Sequence, residues 1–179
     1  MVLKPQDVFV LLKLAANPGV HLPYNRLALE LGMSVSEVHA GVRRSVAAGL
    51  ALEQPRPRPN LGALKEFLFH GVRYAFPAQL GGPVRGMPTA YAAPPLKGVF
   101  APPSGMPPVW PDVEGRSRGP ELPPLYRSVP EAARRDEPLY ALLALTDVLR
   151  TGGARERSLA IDALEERLVE GDPESTRTS

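Results

Sequence analysis

Fourteen of the chain's 22 prolines fall between Pro77 and Pro130. Proline fixes φ, lacks the N–H that helices and sheet ladders use, and pushes the preceding residue out of the helical region. At this density it predicts almost no regular secondary structure over 77–130. The span is not composed like a disordered segment, however. It carries Tyr91, Val109, Trp110, Leu122, Leu125 and Tyr126 among other apolar residues. An extended, polyproline-like strap pinned to a surface by these side chains is the expected arrangement. A flexible linker is the alternative. Regular folding is then left to 1–76 and 131–179.

The first of these flanks reads as successive helices. Pro5 suits a first helical turn, and Val8, Leu11, Leu12 and Ala15 repeat at helical spacing up to Ala16, before Asn17-Pro18-Gly19 breaks the pattern. A second helix begins near Pro23, with Leu27, Ala28 and Leu31 on one face. Gly32 supplies a left-handed turn. Ser34 then caps a third helix, and Glu37, three residues on, completes a capping box. Val35, Val38, Val42 and Val46 form one inward stripe, and Gly49-Leu50 ends the helix. The opposite face shows Ser36, His39, Ala40 and Arg43, with Arg44 and Ala47 at its margin. Two helices joined by a tight glycine turn make a helix-turn-helix. A short strand follows at Leu50–Glu53, but Pro55, Pro57 and Pro59 argue against a partner strand. They predict a stiff basic loop bearing Arg56 and Arg58. Asn60 caps a fourth helix, from Leu61 to about Tyr74.

The C-terminal flank reads as a helical hairpin. One helix runs from Glu131 to Leu149, a turn falls at Thr151-Gly152-Gly153, and a second helix runs from Ala154 to Val169 before Gly171-Asp172-Pro173 stops it. The expected fold class is mainly α with a minor β wing, in three parts: 1–76, 77–130 and 131–179.

Net charge is +2, unevenly placed. Residues 1–76 hold nine Lys/Arg against five Asp/Glu, whereas 131–179 hold seven against eleven. A basic front and an acidic tail suit a nucleic-acid-binding part followed by a different module. Cysteine is absent, which excludes disulfides, thiolate metal sites and cysteine nucleophiles. The three histidines, His21, His39 and His70, lie far apart, so no metal site is expected. There is no G-x-S-x-G, Walker loop or G-x-G-x-x-G, so neither catalysis nor a cofactor is expected. His70, Arg73, Tyr74 and Arg85 offer material for an anion pocket, but ordinary helix-end and packing roles explain them better. No apolar run spans a bilayer and no signal-peptide pattern opens the chain, so a cytoplasmic protein without membrane contact is expected.

The outer face of the third helix has the chemistry for DNA. Ser34 and Ser36 can donate to phosphate, His39 can meet a base or a phosphate, Arg43 can bond guanine bidentately, and Arg44 can contact the backbone. Arg56 and Arg58 can enter a minor groove or clamp phosphates. The motif Leu27-Ala28-Leu29-Glu30-Leu31-Gly32, then Ser34-Val35-Ser36-Glu37-Val38, closing on Gly49-Leu50, resembles the winged helix-turn-helix of bacterial transcriptional regulators of the broad MarR type. The likeness extends over 5–74. It implies a DNA-binding regulator; Ala40, on the outward face of the third helix, is counted with the DNA-binding candidates. A homodimer on two half-sites is expected, with the C-terminal apolar helices as its contact. The rival reading is a protein-interaction or antitoxin-like subunit. In it, the strap and C-terminal helices hold a partner protein, with Trp110 as the anchor, and DNA binding serves autoregulation.

Overall fold

The computed structural model describes residues 1–100 and 105–170. Pro102, Pro103 and the Gly171-Asp172-Pro173 stop lie outside them. About 52% of the described residues are helical, and the remainder includes small antiparallel sheets.

Helix α1 (Pro5–Ala16) is apolar on most sides, and Val8, Phe9, Val10, Leu11 and Leu12 are all buried. Its start is fixed by Asp7, which accepts from the Lys4 N–H at 2.9 Å. Helix α2 (Tyr24–Leu31) ends at Gly32, whose φ of +66° is the left-handed conformation expected of it. Helix α3 (Val35–Ala47) carries the expected capping box between Ser34 and Glu37. Its inward face differs from the valine stripe. Val38, Gly41, Val42 and Ser45 are buried, whereas Val35 is 49% exposed and Val46 only half-buried. The cause is the approach of α1: a Cβ on Gly41 would stand 3.0 Å from Asp7 Oδ1. Ser45 tolerates burial because its hydroxyl donates to the Gly41 carbonyl at 2.8 Å.

Strands β1 (Ala51–Leu52) and β2 (Arg58–Pro59) pair antiparallel, with Ala51 opposite Pro59. A second strand therefore forms despite the prolines, which corrects the loop expected there. The ladder is two residues long and continues into the Asn60 N–H to Leu50 carbonyl bond at 2.9 Å, so Pro59 has no partner to disappoint. Asn60 caps α4 (Leu61–His70), and Gly71 separates it from the one-turn α5 (Val72–Ala75) instead of letting a single helix run through.

The largest departure is in the proline-rich span. Strands β3 (Pro83–Pro88), β4 (Val109–Pro111) and β5 (Ser117–Pro120) form an antiparallel sheet in the order β4-β3-β5. The extended strap is corrected to a sheet with connecting turns. Pro83, Pro88, Pro111 and Pro120 are each the first or last residue of a strand, where a missing N–H does least harm. Glycines let the backbones close up. A Cβ on Gly86 would lie 1.9 Å from the Trp110 carbonyl oxygen, and one on Gly119 1.7 Å from that of Pro107.

The described part of the C-terminal flank is three helices, not a hairpin: α6 (Val129–Arg135), α7 (Glu137–Thr151) and α8 (Ala154–Arg167). Asp136 breaks the first expected helix and caps α7, accepting from the Leu139 N–H at 3.0 Å. Helix α7 is the centre of the molecule, packed by α1, α5, α6, α8 and the 3-10 turn at Ala90–Ala92. Leu139, Leu142, Leu143, Leu145, Val148 and Leu149 are buried by these neighbours, and Ala160, Leu164 and Leu168 of α8 are buried too. The apolar residues offered for dimerisation therefore face their own chain. One apolar cluster joins Val8 of α1, Trp110 of the sheet and Leu164 of α8. Lys13 fastens α1 to α2 and to the start of α7, at 2.8 Å from Glu30 Oε2 and 2.6 Å from Asp136 Oδ2.

Candidate nucleic-acid interface

The outer face of α3 is built by helical periodicity alone. With Val38, Gly41, Val42 and Ser45 inside, Ser36, His39, Arg43 and Ala47 come out on the opposite side and are exposed, with Ala40 half-buried among them. Arg43 has no hydrogen-bond or ion-pair partner among the described residues.

The candidate residues fare differently. Ser34 is taken up by its cap. Its Oγ accepts from the Glu37 N–H at 3.2 Å and donates to Glu37 Oε2 at 3.0 Å, and its own N–H reaches the same oxygen at 3.0 Å. Ser36 Oγ lies 3.2 Å from Ser34 Oγ. The His39 ring stands 4.9 Å from that of Tyr24, tilted by 43°, so α2 orients the imidazole. Arg44 does not reach outward. Its Nε and Nη2 bond Asp7 Oδ2 and Oδ1 at 2.8 and 2.7 Å, and this bidentate pair holds the guanidinium more firmly protonated than usual. Asp7 is fully buried, so Arg44 serves the α1–α3 contact.

Arg56 and Arg58 make no hydrogen bond or ion pair with α3 among the described residues. Arg58 Nη1 donates to the Gln54 carbonyl and closes its own loop. Arg56 is half-buried in a cleft shared with Leu14, Pro18, Val20 and Val169, which no α3 residue lines. The other cationic set does not assemble either. Arg85 Nε donates to the Gly115 carbonyl at 2.7 Å, and Arg73 lies over Tyr74 at 5.0 Å. Trp110 is 1% exposed and thus a core residue, not an anchor open to a partner protein.

Three neighbours of the α3 face escaped the sequence. Tyr24, beside His39, has its hydroxyl pushed up by burial and then by the Glu53 carboxylate. Tyr126 donates to Glu37 Oε1 at 3.0 Å. With the Ser34 N–H and hydroxyl, it holds the Glu37 carboxyl below its usual range. Arg127 lies over the Tyr126 ring at 4.7 Å. No local pattern marks these residues, because each reaches α3 through the tertiary fold.

Among the described residues no group of three or more His, Asp or Glu is placed to hold a metal ion, and no helix is long and apolar enough to cross a membrane. Compared with known proteins, the chain matches no family model, no curated protein and no solved structure.

Proposed function

We propose that the chain is a sequence-reading double-stranded-DNA-binding protein of the cytoplasm that regulates transcription. In this reading α2, Gly32 and α3 form a helix-turn-helix, and the β1–β2 pair is a much shortened wing. The observation that carries it is the α3 face: Ser36, His39, Ala40 and Arg43 on one exposed side of a capped 13-residue helix, with Arg43 unpaired among the described residues. An α-helix fits the major groove, and an arginine on its outer side can bond guanine O6 and N7 together. Ser36 supplies a phosphate contact and His39, oriented by Tyr24, a base or phosphate contact. Arg44, Arg56 and Arg58 have no reading role here. A dimer on two half-sites belongs to the proposal, because one short helix buries too little surface for high selectivity.

The test is selection of bound duplexes from a random-sequence pool, followed by titration of the enriched duplex against a mixed-sequence one. The protein is expected to enrich a defined motif. Arg43→Ala is expected to lose about 1–3 kcal/mol of discrimination at one base pair while keeping its thermal midpoint. No enrichment, with no duplex binding at low salt, overturns the proposal.

A further inference from the structure

The segment that leads out of the sheet returns to α3 and docks on it. Ser128 Oγ donates to the Leu31 carbonyl at 2.6 Å, at the end of α2. A Cβ on Gly32 would stand 3.1 Å from Ser128 Cβ, so the segment lies directly on the turn. Tyr126 bonds Glu37 at the front of α3 and stacks on Phe9 of α1, ring centroids 6.3 Å apart. The two residues on either side of Arg127 are thereby fixed to the two helices that flank the turn.

Arg127 itself is exposed. Its guanidinium rests over the Tyr126 ring, a contact that holds a cation in place without neutralising it. It makes no hydrogen bond and no close ion pair among the described residues, although it stands near enough to the Glu37 carboxylate to help lower its pKa, so a phosphate there would share the cation with Glu37. Arg134 and Arg135, further along α6, differ: Arg134 pairs with Asp112 and Glu114, and Arg135 with Glu131. Glu37, which Tyr126 grips, is one residue on from Ser36 and therefore about 100° round the helix, on the flank of the outer face. A helix with side chains is about 10–12 Å across and the major groove about 12 Å wide, so flanking groups meet the groove wall, where the phosphates are.

We propose that Arg127 is a DNA-backbone contact, contributed from outside the helix-turn-helix, that neutralises one phosphate on the Glu37 flank of α3. It sets the register of the helix in the groove and reads no base. The inference rests on the DNA-binding reading above. It gives the sheet and its exit loop a part in that reading, because they carry a cation to the interface.

The test is titration of the full chain with a fluorescein-labelled mixed-sequence duplex of about 30 base pairs, and with the duplex enriched by selection, between about 50 and 200 mM salt. The proteins compared are wild type, Arg127→Ala, Arg127→Lys and Arg43→Ala. Arg127→Ala is expected to lower the slope of log K against log salt by about 0.9 and to weaken binding about eightfold near 0.1 M salt, as loss of one released counterion requires. The loss should be equal on both duplexes, with discrimination unchanged. Arg127→Lys keeps the charge and should keep the slope; should the alanine variant fail to fold, the lysine variant and Arg127→Gln decide the matter. Wild-type slope and affinity in Arg127→Ala, beside lost discrimination in Arg43→Ala, overturn the role of Arg127 and leave the DNA-binding reading standing. A slope lost in Arg127→Lys also overturns it. Failure of the wild type to bind either duplex at low salt overturns both.

Discussion

The indole Nε1 of Trp110 donates to Asp147 Oδ2 at 2.7 Å, deep in the protein. Thr89 donates to the same oxygen at 2.8 Å, and Arg150 bonds the other oxygen at 2.8 Å. Burial pushes the Asp147 carboxyl up, while Arg150, Thr89 and Trp110 oppose it. Arg150 goes on to the carbonyls of Phe76 and Pro123. Asp147 and Arg150 of α7 thus together gather the residue after β3, the middle of β4 and the carbonyls of Phe76 and Pro123. This is how a small proline-rich sheet is held to a helical body. Asp147→Ala leaves the Arg150 guanidinium buried without its partner, and is expected to cost about 3–5 kcal/mol. Trp110→Phe removes one donor and should cost about 1–3 kcal/mol. Urea midpoints should fall in that order with the slopes unchanged. A wild-type midpoint in Asp147→Ala would sink this account of the sheet.

Glycine substitutions separate close backbone approach from turn strain. Gly119→Ala puts a methyl 1.7 Å from the Pro107 carbonyl oxygen, and no side-chain motion can relieve it. The sheet should open, at a cost of more than about 3 kcal/mol, above the ordinary range for point substitutions. Gly49→Ala meets nothing within 4 Å, and only its φ of +79° resists the change. It should cost about 1 kcal/mol. The comparison is read from thermal midpoints and dye binding to exposed apolar surface. Equal effects would mean that β5 does not lie against Pro107.

What the sequence disclosed was local. Pro5, Ser34 with Glu37, Gly32 and the 3.6-residue spacing act within a turn of one another, and α1, α2 and α3 start and stop where these signals place them. The sheet was hidden because Gly86, Gly115 and Gly119 matter only once distant backbones meet them. Its prolines read as breakers until they fall at strand ends. Arg43 and Arg44 are chemically alike neighbours, and what divides them is Asp7, 37 residues away. The valine stripe held at Val38 and Val42, but α1 approaches at Gly41 and Val35 is left exposed. Tyr126 lies 89 residues from Glu37, so its place beside α3 could not be read from spacing.

Arg43 and Arg44 should therefore behave oppositely on substitution. Arg44→Ala strands the fully buried Asp7 carboxylate and should cost about 3–5 kcal/mol. Arg43→Ala removes an exposed, unpaired side chain and should stay within about 0.5 kcal/mol of wild type. Melts of the two variants check this directly. Equal stability would contradict the assignment of Arg44 to the core.

The Lys13 cluster gives a pH signature. Burial pushes Asp136 up, but bonds from Lys13, the Leu139 N–H and Asn17 outweigh it and leave the carboxyl below its ordinary value. Glu30 is lowered as well, by Lys13 first and then by Arg26. A carboxylate lowered by folding adds stability that is fully present above its unfolded pKa, about 4, and is lost as pH falls through the lower folded value. Unfolding free energy should therefore be level from neutral pH to about 5 and should decline below about 4. Asp136→Asn cannot change charge, and among the described residues Lys13 would keep only Glu30 as an ionic partner. That variant should start lower at neutral pH, fall less steeply in acid, and approach the wild-type curve at the lowest pH. Urea unfolding at a series of pH values measures both curves. Parallel curves across the acid range would mean that Asp136 titrates alike in the folded and unfolded chain, and that the bonds to Lys13 and Asn17 do not hold it charged.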